Sequence, residues 1–556
     1  MQRREAGFYL IFLALCLPLL FSCAAQMYTL QMEPVRRSLL TQDKSKIGWL
    51  EGKVYNQRGE IRDDVDVIYL LELGSIYSFY NNFKESNNLL EAAFKRYTER
   101  EERAKISARS VGSSAIDILF GEGSDEYELA QYEKVYLHTI KILNYLMLGK
   151  IESARVEAKR AIERHKLIKE YAEFKAAQVE KGKKDKYLEQ YTEFKAAQIE
   201  KGEKKKNVAN FDLRLKELTD KATLPNNLKR ELKNVRNAYE NSFTYLLAAL
   251  TFGLNKEFNY IGPQLRNARA LTDNSYVGDM LSAYNKNSRF MVSSPNIYIF
   301  AQVGFAPTKK NLSMPFVNPV SGTVSQISIA QIHPSETNIG TIELVDSTSQ
   351  VVGRLERLTN LDLLALKQYD EDLPKNIAKA ALRLIVQTIR DKTVMKEVKQ
   401  EGAGFLTKIV LSALNVAVER ADIRAWTLAP KWVWFYCGKI GNPKLTLRIK
   451  DRSGVTIGQK SITIDPDQIN VVTLRCFKNV SLVQYQSFGR TYSGKKICVV
   501  WSWVNVRCGP STNFKIIGKV HYGDSLKVVG KEGNWYCVEL PDGREGYIFK
   551  DAIRQE

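Results

Sequence analysis

Hydrophobic residues follow a helical spacing in the first half of the chain and an alternating spacing in the second half. From about residue 64 to residue 284 they recur every three or four positions, which is typical of amphipathic helices. After residue 293 they alternate with polar residues, as at Ile297, Ile299, Ala301 and Val303, and this alternation predicts β-strands. The change of period predicts a multidomain α+β protein, with a helical domain at residues 61–292 and an α+β region with antiparallel strands at residues 293–480.

The helical half opens with two segments that predict an antiparallel helical hairpin. Leu73, Gly74 and Tyr77 fall on the inner face of the first helix, and the two asparagines at 81–82 mark the turn. Small Gly74 permits the second helix to approach closely. These residues resemble the large, small and aromatic signature of a tetratricopeptide repeat, although Ser86 stands where the second helix usually has alanine.

Two further units of this kind are predicted. The second extends from Tyr132 to His165, with Gly149 expected as a left-handed helix C-cap, and a weaker third extends from Phe243 to Leu271. One repeat cannot bury its own apolar face, so the units are expected to stack into a short solenoid. An irregular helical bundle is the alternative.

A tandem duplication separates the second unit from the third. Residues 171–182 are repeated at 191–202 with a period of 20 residues, and the whole insertion covers 171–206. On one continuous helix, 20 residues rotate equivalent side chains by roughly 200°, so the copies would lie on opposite faces. Either Gly182 breaks the helix, or the copies form a projecting arm. Residues 181–206 hold nine lysines and five acidic residues, which is more typical of a solvated basic surface than of a specific binding site.

Helical periodicity returns inside the α+β region, at residues 363–369, 376–398 and 404–418. The last of these segments is the most apolar, but Lys408 and Asn415 interrupt it. Because it lacks 18 consecutive apolar residues, we expect a buried core helix there, with a membrane span as the alternative.

The passage that follows contains the triplet Asp422, Arg424 and Trp426. On a strand these side chains would share one face, where Asp422 would hydrogen-bond to Arg424 and Trp426 would pack over the guanidinium. No nucleophile or general base is evident beside them, so we expect a structural ion pair rather than a catalytic site. This Glu-x-x-Ala-Asp-x-Arg-x-Trp passage and the segment from residue 132 to residue 161 resemble an uncharacterised family of bacterial envelope lipoproteins with tetratricopeptide-like N-terminal halves. The resemblance covers about residues 60–480 and implies location and architecture, but no activity.

The last 59 residues predict a small barrel of short strands. Glycine-rich turns recur along residues 518–543, and Tyr536 and Val538 are expected on one face of a strand with Trp535 on the other. The motifs Asn-Val-Arg-x-Gly-Pro-Ser, Gly-Asn-Trp-Tyr-x-Val and Asp-Gly-Arg-x-Gly-Tyr-Ile occur in order between residues 505 and 548. Together they resemble a bacterial SH3 domain over residues 498–556, preceded by a linker at 481–497.

This resemblance implies that the terminal barrel recognises cell-wall peptides or other envelope ligands. The candidate groove residues are Arg507, Tyr522, Trp535 and Tyr547. Each is equally compatible with a role in the core or in a turn.

The N-terminus predicts export and lipid anchoring. Basic residues at 2–4 precede an apolar run at 7–21 that is too short to span a bilayer, and Leu20-Phe21-Ser22-Cys23 reads as a lipoprotein cleavage box. We therefore expect a signal peptide at 1–22, acyl chains on Cys23 and a linker at 23–60. An ordinary secretory signal or an anchor with a chance cysteine is the alternative. Ala24 favours the outer membrane facing the periplasm, with the cytoplasmic membrane as the alternative.

Export changes how the composition is interpreted. With 82 Lys+Arg against 62 Asp+Glu the net charge is +20, which in the cytosol would suggest nucleic acid, but outside it favours loose association with anionic surfaces. We expect no nucleic-acid partner. Beyond Cys23, the mature chain keeps Cys437, Cys476, Cys498, Cys508 and Cys537. Without a C-x-x-C pair no metal site is expected, and buried free thiols are favoured over disulfides.

The sequence offers few parts for catalysis. It has four histidines and lacks the H-E-x-x-H, G-x-S-x-G and phosphate-loop motifs. We expect no cofactor and no enzyme activity, and predict a lipid-anchored envelope scaffold whose helical repeats dock a protein partner and whose barrel contacts the cell wall or another envelope ligand. The alternative is a peptidoglycan-active enzyme, or an activator of one, that the barrel targets to the wall.

Overall fold

The computed structural model has a helical N-terminal half and a β-rich C-terminal region, and it ends in a small barrel. It describes residues 24–41, 43, 45–110, 127–180, 205–317, 323–397, 411, 421–477, 480–489, 496–532, 534–542 and 544–555. None of the helices within these ranges is long and apolar enough to cross a membrane.

The helices of the first half share one apolar core with the inner face of a β-sheet. They are α1 (Ala24–Thr41), α2 (Ile47–Val54), α3 (Val67–Phe79), α4 (Phe83–Ser110), α5 (Gln131–Met147), α6 (Ile151–Glu180), α7 (Lys205–Ala222), α8 (Asn226–Leu232), α9 (Ser242–Leu254), α10 (Ile261–Arg269), α11 (Ser275–Lys286) and α12 (Phe290–Ser293). A short 3-10 turn at Phe258–Tyr260 joins α9 to α10.

Three helix pairs lie at the predicted hairpins: α3 packs on α4, α5 on α6, and α9 on α10. A Cβ added to Gly74 would lie 3.2 Å from Leu90, which agrees with the predicted close approach of two helices. Asn81 at φ 71° and Gly149 at φ 69° adopt the left-handed conformation at the two interhelical turns, so the predicted C-cap at Gly149 is confirmed. Whether these pairs are tetratricopeptide repeats stays a prediction.

The predicted linker at 23–60 is wrong over most of its length, because residues 24–41 and 47–54 form helices α1 and α2. Tyr28, Met32, Val35 and Leu39 recur on one face of α1, and all four are buried. Helix α2 contributes Ile47, Leu50 and Val54 to the same core. The stretch therefore belongs to the folded body, because burying this apolar stripe favours a packed helix over a solvated tether.

The central region contains one long helix and two stacked sheets. Its elements are β1 (Ile297–Val303), β2 (Thr308–Val317), β3 (Val324–His333), β4 (Ile339–Val345), β5 (Val351–Arg354), β6 (Glu356–Asn360), α13 (Leu361–Glu397), β7 (Trp432–Gly438), β8 (Lys444–Asp451), β9 (Thr456–Thr463), β10 (Gln468–Phe477) and β11 (Val480–Gly489). One sheet has the order β11-β10-β1-β7-β6, the other β5-β4-β8-β9, and β2 pairs with β3 alone.

Strand β1 is the centre of this arrangement. Ile297, Ile299, Ala301 and Val303 face the four-stranded sheet, as their alternation predicted, whereas Tyr298 and Phe300 face the helices. The result is three layers: helices, a five-stranded sheet and a four-stranded sheet. The expectation of antiparallel strands needs one correction, since β1 runs parallel to β10. These strands are far apart in the chain, so no tight hairpin fixes their direction.

Several other boundaries differ from the predicted ones. The expected linker at 481–497 is wrong in its first part, because β11 pairs with β10 along its whole length. Helix α6 includes most of the first copy of the duplication, whereas the second copy lies outside the described residues. The predicted core helix at 404–418 lies outside them too, apart from buried Leu411.

The terminal barrel has its own core. It consists of β12 (Lys496–Val499), β13 (Trp503–Arg507), β14 (Ile516–His521), β15 (Ser525–Glu532), β16 (Trp535–Glu539), β17 (Glu545–Phe549), a 3-10 turn and β18 (Ile553–Gln555). The strand order is β14-β13-β17-β16-β15-β12-β18. Val506, Val538 and Ile548 are at its centre.

Candidate functional site

The strands of the barrel separate inward-facing and outward-facing residues as their alternation predicts. Tyr536 and Val538 of β16 are buried in the barrel core, and Trp535 lies on the outer face. Trp535 packs edge-on against Phe549, with ring centroids 5.3 Å apart. Candidate ligand contacts must therefore come from the outer face and from the turns.

Three of the four candidate groove residues lie on this outer face. Arg507 is paired with Tyr547 across neighbouring strands, and Trp535 lies on the next strand. The Arg507 guanidinium donates hydrogen bonds to the carbonyls of Thr512 (2.7 Å) and Phe514 (2.8 Å). It therefore holds the turn between β13 and β14, which is the structural role left open for it.

Part of the outer face contacts the helical body. Arg289, just before α12, forms an ion pair with Glu545 of β17 and lies over the ring of Phe258. Burial lowers the pKa of Arg289, while nearby Cys537 and Tyr547 oppose that shift. Cys537 is buried even though it is on the outer face of β16, and its Sγ lies 3.9 Å from Glu545 Oε2. The Tyr547 side of the predicted groove therefore lies close to Arg289 of the helical half.

The fourth candidate, Tyr522, lies at the other end of the barrel and is 73% exposed. Its backbone N–H donates to the carbonyl of Ser502 (3.3 Å), which brings it beside two exposed tryptophans that the sequence analysis missed. Trp501 is 50% exposed and Trp503 is 53% exposed. The ammonium group of Lys519 lies 5.0 Å from the Trp503 ring centroid. We call Trp501, Trp503 and Tyr522 the aromatic end of the barrel.

The sequence carried a usable signal for the aromatic end. Trp501 lies just before β13, and Trp503 is the first residue of that strand and faces outward. Val504 and Val506 of the same strand are buried. Neighbouring exposed aromatic residues mark a candidate interaction site, whereas a single exposed one does not. Arg507 and Trp503 are four residues apart on one strand, about 13 Å, so the aromatic end is separate from the Arg507–Tyr547 pair.

Comparison with known proteins assigns this part of the chain. A family model described as "Bacterial SH3 domain" matches residues 502–554. Residues 502–554 form a bacterial SH3 domain. A curated relative, named "Putative N-acetylmuramoyl-L-alanine amidase YrvJ", of Bacillus subtilis (strain 168), is 32% identical over 66 residues. That match covers 12% of this chain and 13% of the Bacillus protein, so the chain spans only a small part of that relative.

The four other cysteines among the described residues are thiols rather than disulfide partners. Cys476 is buried, Cys437 and Cys498 are half-buried, and Cys508 is exposed on the turn after β13. Burial raises the pKa of Cys437 and of Cys476 to about 12, which keeps both protonated and unreactive. The expectation of buried thiols is confirmed for Cys476 and Cys537, whereas Cys508 is in solvent.

The triplet Asp422, Arg424 and Trp426 lies in an extended segment without strand pairing, not on the strand we expected. Arg424 donates two hydrogen bonds to Asp422 (2.9 and 2.8 Å) and forms an ion pair with Asp66 of the helical half. Burial acts to raise the pKa of Asp422, but the hydrogen bonds from Arg424 hold it below its usual value. Tyr127, not Trp426, lies over the guanidinium. The ion pair ties two parts of the fold together.

Trp426 is fully buried instead. Its indole N–H donates to Ser75 Oγ (2.8 Å), and its backbone N–H donates to Glu133 (3.2 Å). Next to it, Glu72 of α3 accepts hydrogen bonds from Tyr28 (2.6 Å), from the backbone and hydroxyl of Thr427 (2.7 and 2.8 Å), and from the backbone of Leu428 (3.0 Å). Burial outweighs these bonds and raises the pKa of Glu72 to about 7. We call residues 421–431 the strap.

The helical half contains a second buried polar cluster. His138 contacts Glu157 at 2.8 Å, and Lys141 also contacts Glu157 at 2.8 Å. Burial lowers the pKa of His138, although Glu157 opposes this. His138 is 1% exposed and Glu157 is 2% exposed, so substrate has no access to this pair. Among the described residues, no group of three or more His, Cys, Asp or Glu side chains is arranged to hold a metal ion.

Proposed function

We propose that this protein is a non-catalytic, lipid-anchored scaffold of the cell envelope, in which the SH3 domain binds cell wall or another envelope ligand. The observation that carries the proposal is the aromatic end of that domain, where Trp501, Trp503 and Tyr522 are each at least half exposed. Planar aromatic rings bury large areas at low entropic cost, and so they often dominate binding energy. The SH3 family assignment supports a wall ligand.

The test is a co-sedimentation assay of the full chain with purified peptidoglycan. We expect Trp503→Ala and Tyr522→Ala each to weaken binding by about 30-fold or more, the range of an interface hot spot. Tyr485→Ala is the matched control, because Tyr485 is 48% exposed on β11, outside the SH3 domain. Equal peptidoglycan binding by the natural chain and these three variants would show that the aromatic end is not the contact surface. Trp535→Ala is a poorer probe, since Trp535 packs on Phe549 and its loss would disturb the barrel.

The proposed anchor is the acylated Cys23, which lies outside the described residues. Cys23→Ser should leave the protein unprocessed or release it into the soluble fraction, because the acyl chains carry the membrane affinity. Labelled fatty acid entering the variant as it enters the natural chain would contradict this part of the proposal. Fractionation of the two membranes would distinguish the proposed outer-membrane location from the cytoplasmic membrane.

The helical half is the proposed docking surface for a protein partner. Helices α3 to α6 form two packed hairpins, and repeated hairpins create extended surfaces of the kind that bind other proteins. Crosslinking of the natural chain in intact cells should capture a partner through residues 61–292. Crosslinks that fall only on the SH3 domain would count against it.

A second candidate function is a wall-active enzyme or its activator. The similarity to the Bacillus protein named as an amidase favours it, although that similarity covers 12% of the chain. Incubating the full chain with wall material and measuring released fragments by mass spectrometry tests this candidate. If the full chain releases wall fragments and substitution of one of its carboxylate residues abolishes that release, the non-catalytic proposal is wrong.

A further inference from the structure

Arg475 of β10 is a buried cation with an unusual environment. It is 4% exposed, and its guanidinium lies 4.3 Å from the ring centroid of Phe477 and 5.1 Å from that of Phe79. Its two terminal nitrogens donate to the backbone carbonyls of Gln302 (3.0 Å) and Leu428 (3.2 Å). Its Nε–H has no acceptor among the described residues.

Other buried cations of the described chain have carboxylate partners. Lys141 pairs with Glu157, Lys431 with Asp362, and Arg424 with two aspartates. Arg475 has only neutral groups in contact, and burial lowers its pKa to about 9. A buried positive charge without a counter-ion is costly.

A small cavity of about 20 Å³ adjoins the Arg475 side chain. Its polar lining comes from Ser78, Gln302, Thr473 and Gln484, and its walls are otherwise apolar. This volume is close to that needed for one water-sized group. A halide-sized ion or the end of one carboxylate matches this volume.

The cavity lies where the helical half meets the five-stranded sheet. Ser78 is at the end of α3, Gln302 is on β1, and Gln484 is on the edge strand β11. Gln484 is only half-buried, so an ion can enter past β11. The Ser78 hydroxyl donates to Asn144 (2.8 Å) and the Gln302 amide donates to Thr473 (3.5 Å). The Arg475 Nε–H, the Thr473 hydroxyl and the Gln484 amide remain as donors for a small anion.

We propose that this cavity is a binding site for a small monovalent anion, with Arg475 as its charge partner. The anion is either a free halide or the carboxylate of a small organic acid. Neither source is part of the envelope function proposed above, so this inference stands or fails separately from it. Occupation would link the helical half to the sheet through one shared ligand.

The test is thermal unfolding of the purified full chain in sodium salts at constant ionic strength. Chloride, bromide and formate are compared with gluconate, which is too large for the cavity. We expect a saturable rise in Tm with at least one small anion and none with gluconate. At 100 times its Kd, a bound anion lowers the unfolding equilibrium constant by about 100-fold. A response to halides alone identifies a free ion, and a stronger response to formate identifies a carboxylate.

Two variants separate binding from folding. Arg475→Met removes the charge, and Gln484→Phe fills the mouth of the cavity while keeping Arg475. Both should lose the anion response, whereas Lys460→Met, which removes an exposed cation on β9, should keep it. Bromide-soaked crystals should show anomalous density beside the guanidinium. An unchanged anion response in Gln484→Phe, or no response to any small anion in the natural chain, would overturn the proposal.

Discussion

Replacing Glu72 with glutamine should remove the pH dependence that Glu72 gives to the stability of the strap. Glu72 is fully buried and accepts four hydrogen bonds, three of them from Thr427 and Leu428 of the strap. Burial raises its pKa from 4.5 to about 7, so the folded state binds the proton more tightly than the unfolded state. The stabilisation from this proton is complete below pH 4.5, falls as pH rises toward 7, and is absent above that.

The magnitude follows from the width of that window. A shift of about 2.5 pKa units corresponds to roughly 3 kcal/mol of stability that the natural chain loses between pH 4.5 and pH 7. The glutamine variant carries no titrating group at this position. It also turns an amide N–H₂ toward a donor, which costs about 1–3 kcal/mol at all pH values. The natural chain should therefore exceed the glutamine variant in free energy of unfolding by roughly 3 kcal/mol more at pH 4.5 than at pH 7.5.

Hydrogen exchange of peptides covering residues 421–431 measures this difference locally, after correction for the intrinsic pH dependence of exchange. Glu163→Gln is the matched control, because Glu163 is an exposed residue on α6 and its loss should leave strap protection unchanged. A difference that stays constant with pH, or grows as pH rises, would refute the reasoning. The four donors would then hold the carboxylate ionised in spite of its burial.

Further predictions concern one ion pair and one glycine. Arg424→Met leaves the largely buried Asp66 and the half-exposed Asp422 without their partner and should destabilise the fold by about 1–3 kcal/mol, measured by urea unfolding. Arg266→Met, an exposed change on α10, is its control. Gly546→Ala would bring a Cβ within 2.2 Å of Val506 and should make the SH3 domain sensitive to protease. A Cβ added to Gly52 has no other atom within 4 Å, so Gly52→Ala should leave the protease sensitivity unchanged. Equal protease sensitivity of both glycine variants would contradict the predicted clash.

The sequence predicted local structure well where one period dominates. The alternation at Ile297, Ile299 and Ala301 correctly indicated a strand, and the alternation at Trp535 and Tyr536 correctly indicated which side faces the barrel core. It did not indicate that both faces of β1 are covered, because that depends on layers formed by distant parts of the chain. The apolar stripe on α1 is present in the sequence too, and the predicted linker overlooked it.

The candidate site was predictable only in part, for a similar reason. Strand parity correctly indicated that Trp535 faces outward, whereas Arg507 and Tyr547 became candidates through the resemblance to a bacterial SH3 domain. Their exposure does not follow, because it depends on Arg289, which is more than 200 residues earlier in the chain and contacts Glu545. Likewise, no local pattern links Glu72 to the strap, since their contact joins positions 355 residues apart.

The proposed anchor limits where the SH3 domain can act. Tyr28 in the core follows Cys23 by five residues, which span at most about 18 Å, so an acylated Cys23 would hold the folded body close to the membrane. At the other end, only residues 490–495 separate β11 from β12, and a fully extended chain of that length spans at most about 25 Å. The SH3 domain therefore cannot search far from the body for its ligand. In the proposed role, the cell wall or the envelope partner must come to the membrane-bound body. Contacts at the aromatic end would then fix the distance between that ligand and the membrane.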